Sequence, residues 1–226
     1  MKSYDFAPVP DSFQAFLVKG AQFTRIEEYP ILERSSIATV PPKRIIPFDK
    51  ALRDKHLSES YVCFYSPDAS FERIRKNPRR YVNIFAKRCA GIIGFDFSIH
   101  CDMPLVKQKA QMNDNLSLTF YYAKNGATII PNIRFGIDSL ADEFLSAIPK
   151  NCLVAVGCHG FIKTKVEKAE WFWFLDKIIN TLEPTGIVVY GTLNGSLFDS
   201  FKSKVPFYCY QPWINAARKR RKNNDI

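Results

Sequence analysis

The sequence predicts an α/β protein with a mainly parallel sheet of five to six strands, open or curled into a partial barrel. Two observations predict this class. Four apolar runs end in polar residues and glycine, and a helix-like stretch separates each successive pair; the runs are residues 91–102, 127–136, 152–160 and 186–195. Such alternation is typical of consecutive βα units. An eight-stranded barrel usually needs about 250 residues, and this chain has 226.

Short apolar runs that are bounded by turn residues mark the strands. The first covers residues 61–65 and ends at Ser66-Pro67-Asp68. Later strands are predicted at 91–98, 127–134, 153–156 and 187–190, and a last run at 205–210 adds a sixth. Because these runs are continuously apolar, we expect strands that are covered on both faces.

Helical spacing and terminal signals mark the connecting helices. The helix predicted at 104–124 ends at Asn125-Gly126, a favourable stop. Within 78–88, Tyr81, Ile84 and Phe85 form one apolar stripe, which leaves most of the basic residues on the outer side. Shorter helices are predicted near 70–76 and 138–148, and the strongest apolar face covers 166–182.

Composition divides the chain into three parts. Residues 1–50 hold six of the fourteen prolines. Proline fixes φ and removes a backbone donor, so we expect an irregular arm that packs on the main domain. Residues 51–215 are predicted to form the α/β domain, and residues 216–226 a basic tail.

Cysteine usage and hydropathy indicate a cytoplasmic protein. The six cysteines include no C-x-x-C pair, and several lie within apolar runs, as expected of free thiols in a reducing compartment. No apolar run approaches the roughly 18–20 residues of a membrane span. The N-terminus lacks the continuous apolar core of a signal peptide. We therefore expect no membrane association.

The net charge of +10 is concentrated in two segments. Residues 71–88 carry seven basic residues against Glu72, which gives +6, and residues 218–226 carry five against Asp225, which gives +4. Localised positive charge favours a polyanion, although a solvated helix face and a solubilising tail have the same composition. The predicted nucleic-acid-binding residues are Arg73, Arg75, Lys76, Arg79, Arg80, Lys87, Arg88, Arg218, Lys219, Arg220, Arg221 and Lys222.

Polar side chains follow the strand ends, which is where parallel sheets bind their ligands. Residues two apart on a strand share a face, so Asp96 lies with Ser98, and Asn132 with Arg134. If the strands are neighbours, these groups converge on one rim with residues from the later strand ends. The predicted ligand-binding residues are Ser98, Asn132, Arg134 and Asn194, and the candidate catalytic residues are Asp96 and His159.

This mixture of side chains suits a polar or phosphorylated ligand. In an enzyme, Arg134 would bind the anionic group because guanidinium offers a bidentate fork. Asp96 would act as general base or metal ligand, and His159 as proton donor. The chain has no G-x-x-x-x-G-K-[ST], G-x-G-x-x-G or G-x-S-x-G motif, so nucleotide-loop and serine-hydrolase classes are not indicated.

Metal binding has weaker support in the sequence. His100-Cys101 and Cys158-His159 match no zinc-ligand spacing, and no metal ligands are predicted. A Mg²⁺ site that uses Asp96 and Asp102 is an alternative, because Mg²⁺ takes one or two carboxylates plus substrate phosphate. No other cofactor is indicated.

Several short strings resemble one family. They are GFDFS at 94–98, IPNIR at 130–134, VAVG at 154–157 and VVYG at 188–191. Together they resemble the bacterial and phage domain of unknown function 4417, over roughly residues 61–210. The resemblance implies a bacterial, phage or mobile-element origin. It implies no settled activity and no catalytic role.

These observations support one function hypothesis and two alternatives. The first is an intracellular, nucleic-acid-associated protein of a phage, plasmid or other mobile element. One alternative is an α/β enzyme that acts on a phosphorylated or nucleotide-like ligand at the strand ends. The other is a structural or protein-interaction module. The sequence leaves open whether the protein is an enzyme.

Overall fold

Seven parallel strands form the centre of the described part of the protein, and they follow one another in chain order. The computed structural model describes residues 11, 13–158, 164–191 and 198–213. Strands β1 to β4 pair in sequence, as do β5 to β7, and every pairing is parallel. The strands are β1 Arg44–Pro47, β2 Ser60–Cys63, β3 Gly91–Ile93, β4 Ile129–Ile130, β5 Leu153–Gly157, β6 Gly186–Tyr190 and β7 Phe207–Tyr210.

Helices and short turns connect the strands. The helices are α1 Phe48–Ala51, α2 Glu72–Lys76, α3 Leu105–Lys124, α4 Ala141–Ser146, α5 Lys165–Leu182 and α6 Asp199–Lys202. A capping box begins α5, because the Thr164 hydroxyl accepts from the Glu167 N–H while the Glu167 carboxylate accepts from the Thr164 N–H. No helix in the described ranges is long and apolar enough to cross a membrane.

The two groups of strands join through the segment that follows β4. Asn132 forms a parallel bridge with Ala155 of β5. The Ile133 N–H donates to the Ala155 carbonyl and the Ala155 N–H donates to the Pro131 carbonyl, both at 2.8 Å. Ile37, in the segment before β1, forms a parallel bridge with Ile129 of β4, and the Ala38 N–H donates to the Ile129 carbonyl. The N-terminal segment therefore lies against β4.

The sheet curls into a partial barrel. Tyr65 follows β2 and Tyr190 ends β6, four strands away, yet their rings stack with centroids 5.1 Å apart. Four strand spacings would separate them by about 19 Å in a flat sheet. The Tyr210 hydroxyl at the end of β7 also donates to the Pro42 carbonyl, just before β1. The sequence left an open sheet and a partial barrel as alternatives, and the structure has the partial barrel.

Two apolar layers stabilise this arrangement, one on each face of the sheet. The inner layer contains side chains from all seven strands and no helical residue, as a sheet curled on itself requires: Ile45, Tyr61, Cys63, Ile93, Ile130, Leu153, Ala155, Val188, Tyr190, Tyr208 and Tyr210. The outer layer packs the sheet against the helices. Phe64 lies at its centre, fully buried and stacked on Phe95 with centroids 4.0 Å apart.

The α/β class with a parallel sheet is confirmed, with differences in the strands. The described residues contain seven strands rather than five to six, because β1 lies within the proline-rich first 50 residues. Its four residues, RIIP, end in proline, whose missing N–H is tolerated at the edge of the sheet. The strands predicted at 91–98 and 127–134 are shorter and continue as irregular extended segments. These extensions carry the polar residues of the candidate site.

Candidate functional site at the carboxyl ends of the strands

A polar pocket of about 270 Å³ opens where β2, β3, β4 and β5 end. Tyr65 follows β2, Asp96 follows β3, Arg134 follows β4 and Gly157 ends β5. Because all of these strands are parallel, their carboxyl ends meet at one edge of the sheet. The lining residues are Tyr65, Ser66, Pro67, Asp96, Ser98, His100, Arg134 and Gly157.

A chain of hydrogen bonds forms the base of the pocket. The Tyr65 hydroxyl donates to Asn132 Oδ1 at 2.8 Å. Asn132 Nδ2 donates to Asp96 Oδ1 at 2.8 Å and to the Phe95 carbonyl at 3.1 Å. The buried Asn132 amide therefore holds three neighbouring strand ends in a defined relation, and it fixes one oxygen of the Asp96 carboxylate.

The Asp96 carboxylate also forms an ion pair with Arg134 at the wall of the pocket. Arg134 Nη1 lies 3.9 Å from Asp96 Oδ2, and Arg134 Nη2 donates to the Ile99 carbonyl at 3.4 Å. The side chains of Arg134 and Asp96 are 20% and 12% exposed, so solvent reaches the pair through the pocket opening. A guanidinium at the mouth of a small pocket is suited to an anionic ligand group.

Burial changes the protonation behaviour of this site. Burial raises the pKa of Asp96, while Arg134 and the hydrogen bond from Asn132 act in the opposite direction, and nearby Asp68 raises the pKa further. Burial also raises the pKa of Tyr65 well above its usual range. Tyr65 is therefore a neutral hydrogen-bond donor, and Asp96 is held closer to neutrality than an exposed aspartate.

The segment after β3 is held in place by Asp68. Its carboxylate accepts from the Ser98 N–H at 3.2 Å and from the Ser98 hydroxyl at 2.9 Å. The Ser98 carbonyl in turn accepts from Gln111 on α3 at 3.3 Å. Ser98 lines the pocket, and its bonds to Asp68 hold the chain in place beside Asp96.

Gly157 is required by the close approach of Tyr65. A Cβ at this position would lie 2.6 Å from the Tyr65 ring, a distance that real contacts do not reach. The absence of a side chain lets the Tyr65 ring cross the end of β5 and stack on Tyr190. Tyr65 can therefore reach Asn132 only because residue 157 is glycine.

The structure brings together four of the six residues predicted at the strand ends. Asp96, Ser98 and Arg134 line the pocket, and Asn132 lies beneath it. His159 and Asn194 lie outside the described residues. Sequence reasoning missed Tyr65 and Asp68, although the polar break after the strand at 61–65 carried the same signal as the other strand ends.

The described residues contain no group of three or more His, Cys, Asp or Glu side chains that could hold a metal ion. The Mg²⁺ alternative paired Asp96 with Asp102. Asp102 is exposed and is not among the residues that line the pocket. A carboxylate pair built from these two residues therefore has no support in the geometry.

Replacing Asn132 with alanine should destabilise the protein by about 1–3 kcal/mol, because Tyr65, Asp96 and the Phe95 carbonyl all lose a buried partner. Chemical unfolding monitored by circular dichroism measures this cost. Asn83→Ala, at an exposed position with no side-chain cap hydrogen bond, is the matched control and should change stability by less than about 0.5 kcal/mol. Equal costs for both variants would contradict a structural role of the Asn132 amide.

The raised pKa of Asp96 predicts a specific pH dependence. Since the folded state holds the Asp96 proton more tightly than the unfolded state, wild-type stability falls as pH rises from the unfolded pKa through the folded pKa. Asp96→Asn has no proton to lose at this position. The melting temperature of the variant minus that of wild type should therefore increase as pH rises across this interval and then stay constant. Thermal melts of both proteins between pH 3 and 8 test this, and a difference that instead grows towards low pH would contradict it.

A second candidate surface is the basic segment, residues 71–88, which connects β2 to β3. Six of its seven basic side chains are exposed, and none of the six forms an ion pair within the described part of the chain: Arg73, Lys76, Arg79, Arg80, Lys87 and Arg88. Lys87 and Arg88 lie just before Gly91, the first residue of β3. They are therefore near the amino ends of the strands, at the opposite edge from the pocket.

Arg75 is the exception among the basic residues. It pairs with Glu72 and Asp114 at 2.8 and 2.9 Å, and its guanidinium lies 4.6 Å from the centroid of the Phe97 ring. Asp114 lies on α3, so its pair with Arg75 anchors α2 to α3. Arg75 is therefore part of the structure rather than of a free cationic surface. The predicted basic tail, with Arg218, Lys219, Arg220, Arg221 and Lys222, lies outside the described residues.

The fold and the pocket define a class of protein: an α/β partial barrel with a polar site at the carboxyl ends of its strands. The chain belongs to the family described as domain of unknown function (DUF4417), whose model matches residues 21–208. This match confirms the family that the sequence strings indicated.

A similarity to a phage protein is consistent with this membership. The "Gene 1 protein" of Mycobacterium phage L5 is 24% identical over 130 residues, which cover 58% of this chain and 56% of the phage protein. The chain thus spans little more than half of that relative. No solved structure shows significant similarity. Family and relative together support a connection with mobile elements, with no molecular role assigned.

Proposed function

We propose that the protein is a nucleic-acid-associated protein of a mobile element, and that it contacts phosphates through the basic segment. One observation carries the proposal: six exposed cations within residues 71–88 have no described carboxylate partner, whereas Arg75 in the same segment has two. Unpaired cations on one connection create a localised positive field that attracts a polyanion.

The arrangement of the cations suits a phosphate backbone. Lys87 and Arg88 follow Arg80 along one continuous surface segment that turns through short helical pieces. Arg79 and Arg73 lie over aromatic rings, with the guanidinium carbon 4.3 Å from the Phe16 centroid and 4.9 Å from the Phe48 centroid. Such stacking restrains the side chains, so less conformational entropy is lost when a phosphate binds.

The test is a salt titration of the full chain with a fluorescently labelled oligonucleotide. If three to six cations contact phosphates, the logarithm of the association constant should fall with the logarithm of salt concentration with a slope of about −2 to −5. Fluorescence anisotropy at 50 and 200 mM salt measures this slope. No binding at 50 mM salt, or affinity that does not change with salt, would overturn the proposal.

A second candidate function is supported by the pocket. There the protein binds a small phosphorylated or nucleotide-like ligand, and Arg134 contacts the anionic group. The observation that favours it is the Asp96–Arg134 pair at the pocket mouth, together with the raised pKa of Asp96. A carboxyl group whose pKa is raised by burial, beside a bound anion, can serve as a proton donor or acceptor, which is the requirement for acid–base catalysis.

Isothermal titration with inorganic phosphate and with a nucleoside monophosphate tests this second function. Wild type should bind at least one of these probes, and Arg134→Gln should lose about tenfold or more in affinity, because a charged hydrogen bond to the anion is removed. Arg25→Gln, at an exposed position outside the pocket, is the control. Equal binding by Arg134→Gln and wild type would exclude the pocket as the anion site.

A further inference from the structure

An aromatic groove lies next to the basic segment, at the end of α3. Its volume is about 370 Å³, and its walls are Phe16 and Leu17 from the N-terminal segment and Tyr121 from the last turn of α3. The Phe16 and Tyr121 rings meet edge to face with centroids 5.5 Å apart. The groove therefore presents partly exposed aromatic surface rather than a closed apolar core.

Cations surround this groove. Lys19 and Lys124 line it, and the Arg79 guanidinium lies over the Phe16 ring. A Cβ at Gly20 would lie 2.8 Å from Lys124 Nζ, and Gly20 has a φ of +80°. Glycine thus lets the chain turn here, and the Lys124 ammonium lies directly beside it.

The carboxylate of Asp11 is engaged by the backbone of the segment that forms one wall of the groove. It accepts from the Ala15 N–H at 2.8 Å and from the Phe16 N–H at 3.3 Å, and so holds the start of the turn at Ala15–Val18. It is not one of the residues that line the groove. Aromatic surface with a positively charged edge is therefore the chemistry that a ligand meets here.

The groove is continuous with the basic segment. The Tyr122 hydroxyl on α3 donates to the Pro78 carbonyl at 2.8 Å, and Gly126, which follows α3, lies against Ala86. These contacts place the end of α3 beside residues 78–88. A phosphate backbone that follows Arg79 and Arg80 would therefore pass the mouth of the groove.

We propose that the groove binds an unpaired base of a single-stranded nucleic acid against Tyr121, while Lys19, Lys124 and Arg79 contact the flanking phosphates. The inference rests on the proposed function and specifies its ligand as a single strand. The aromatic surface and the positive charge of the groove together favour this ligand. Every base has a π face that stacks on an aromatic side chain, and the backbone of the strand is anionic. A base in a duplex is already stacked and does not enter such a groove.

The experiment compares two labelled strands of equal length and charge, an oligothymidylate and an abasic strand, by anisotropy at 50 mM salt. Wild type should bind the oligothymidylate more tightly than the abasic strand. Tyr121→Leu should weaken oligothymidylate binding about tenfold and leave the abasic strand unaffected. Tyr121→Phe, which keeps the ring, and Phe172→Leu, which removes an exposed ring on α5, are the controls and should bind like wild type.

Each other outcome has a distinct meaning. If wild type binds both strands equally, or Tyr121→Leu binds oligothymidylate like wild type, the groove does not recognise bases, but the proposed function stands. If wild type binds neither strand, the groove proposal is wrong. A duplex of the same length, titrated under the same conditions, then decides whether the proposed function fails with it. Should Tyr121→Leu fail to fold, photo-crosslinking of wild type to a 5-iodouracil strand replaces it. Adducts on Tyr121 or Phe16 support the groove, and adducts only elsewhere overturn it.

Discussion

Reversal of three charges on the basic segment, Arg80→Glu, Lys87→Glu and Arg88→Glu together, should reduce nucleic-acid affinity by a few hundredfold at 0.1 M salt. Each phosphate contact on a single strand contributes about 0.7 to the salt slope, so the loss of three contacts lowers the magnitude of that slope by about 2.1. The same three contacts account for a factor on the order of 10² to 10³ in affinity at 0.1 M salt. Repulsion between the new carboxylates and phosphates adds to the loss.

The matched control is a variant with the same change in total charge at exposed positions elsewhere, namely Arg25→Glu, Lys107→Glu and Lys168→Glu. It should retain most of the affinity, because these positions lie outside the basic segment. Anisotropy titrations at several salt concentrations give the affinity and the slope for both variants. If the two triple variants lose affinity equally, total charge rather than the basic segment governs binding, and the surface proposed here is wrong.

Truncation of Phe64 to alanine should cost about 3–5 kcal/mol of the free energy of unfolding. Phe64 is fully buried, stacks on Phe95, and has the Phe48, Phe71 and Phe85 rings within 6.0 Å of its centroid. A cavity at this point removes contacts from several elements at once. Since domains of this kind have a total stability of about 5–15 kcal/mol, the variant should be close to unfolding.

The effect should extend to the pocket, because Phe64 precedes Tyr65 and Phe95 precedes Asp96. Their stacked rings lie in the outer layer and anchor the backbone that carries the two pocket residues. Guanidinium unfolding curves measure the cost, with Phe64→Leu as the control that keeps most of the volume and loses less. A cost below about 1 kcal/mol for Phe64→Ala would contradict the central position assigned to this ring.

Four residues of the candidate site could be predicted from the sequence, because their positions relative to the strands were evident. Asp96, Ser98, Asn132 and Arg134 all follow apolar runs, and parallel strands carry such residues to one edge whatever the details of the fold. The alternation rule then placed Asp96 and Ser98 on one face, and both line the pocket. Polar residues at the ends of consecutive apolar runs were sufficient evidence for this part of the site.

Tyr65 could not be predicted in the same way. Its ring reaches the pocket because the sheet curls and because Gly157 leaves room at the end of β5. Both conditions depend on contacts between strands that are far apart in sequence. Arg75 shows the same limit among the charges: composition alone groups it with its neighbours, whereas its partners Glu72 and Asp114 remove it from the exposed set.

Local sequence was thus enough to indicate the α/β class, the long helices and the family, because each depends on residues within a few turns or on a recurring string. The curl of the sheet, the seventh strand and the pairing state of individual charges depended on tertiary contacts. A strand of four residues such as β1 is too short to be stable alone and is ordered by its pairing with β2. Likewise, whether an arginine is exposed or paired is set by which distant carboxylates the fold brings within reach.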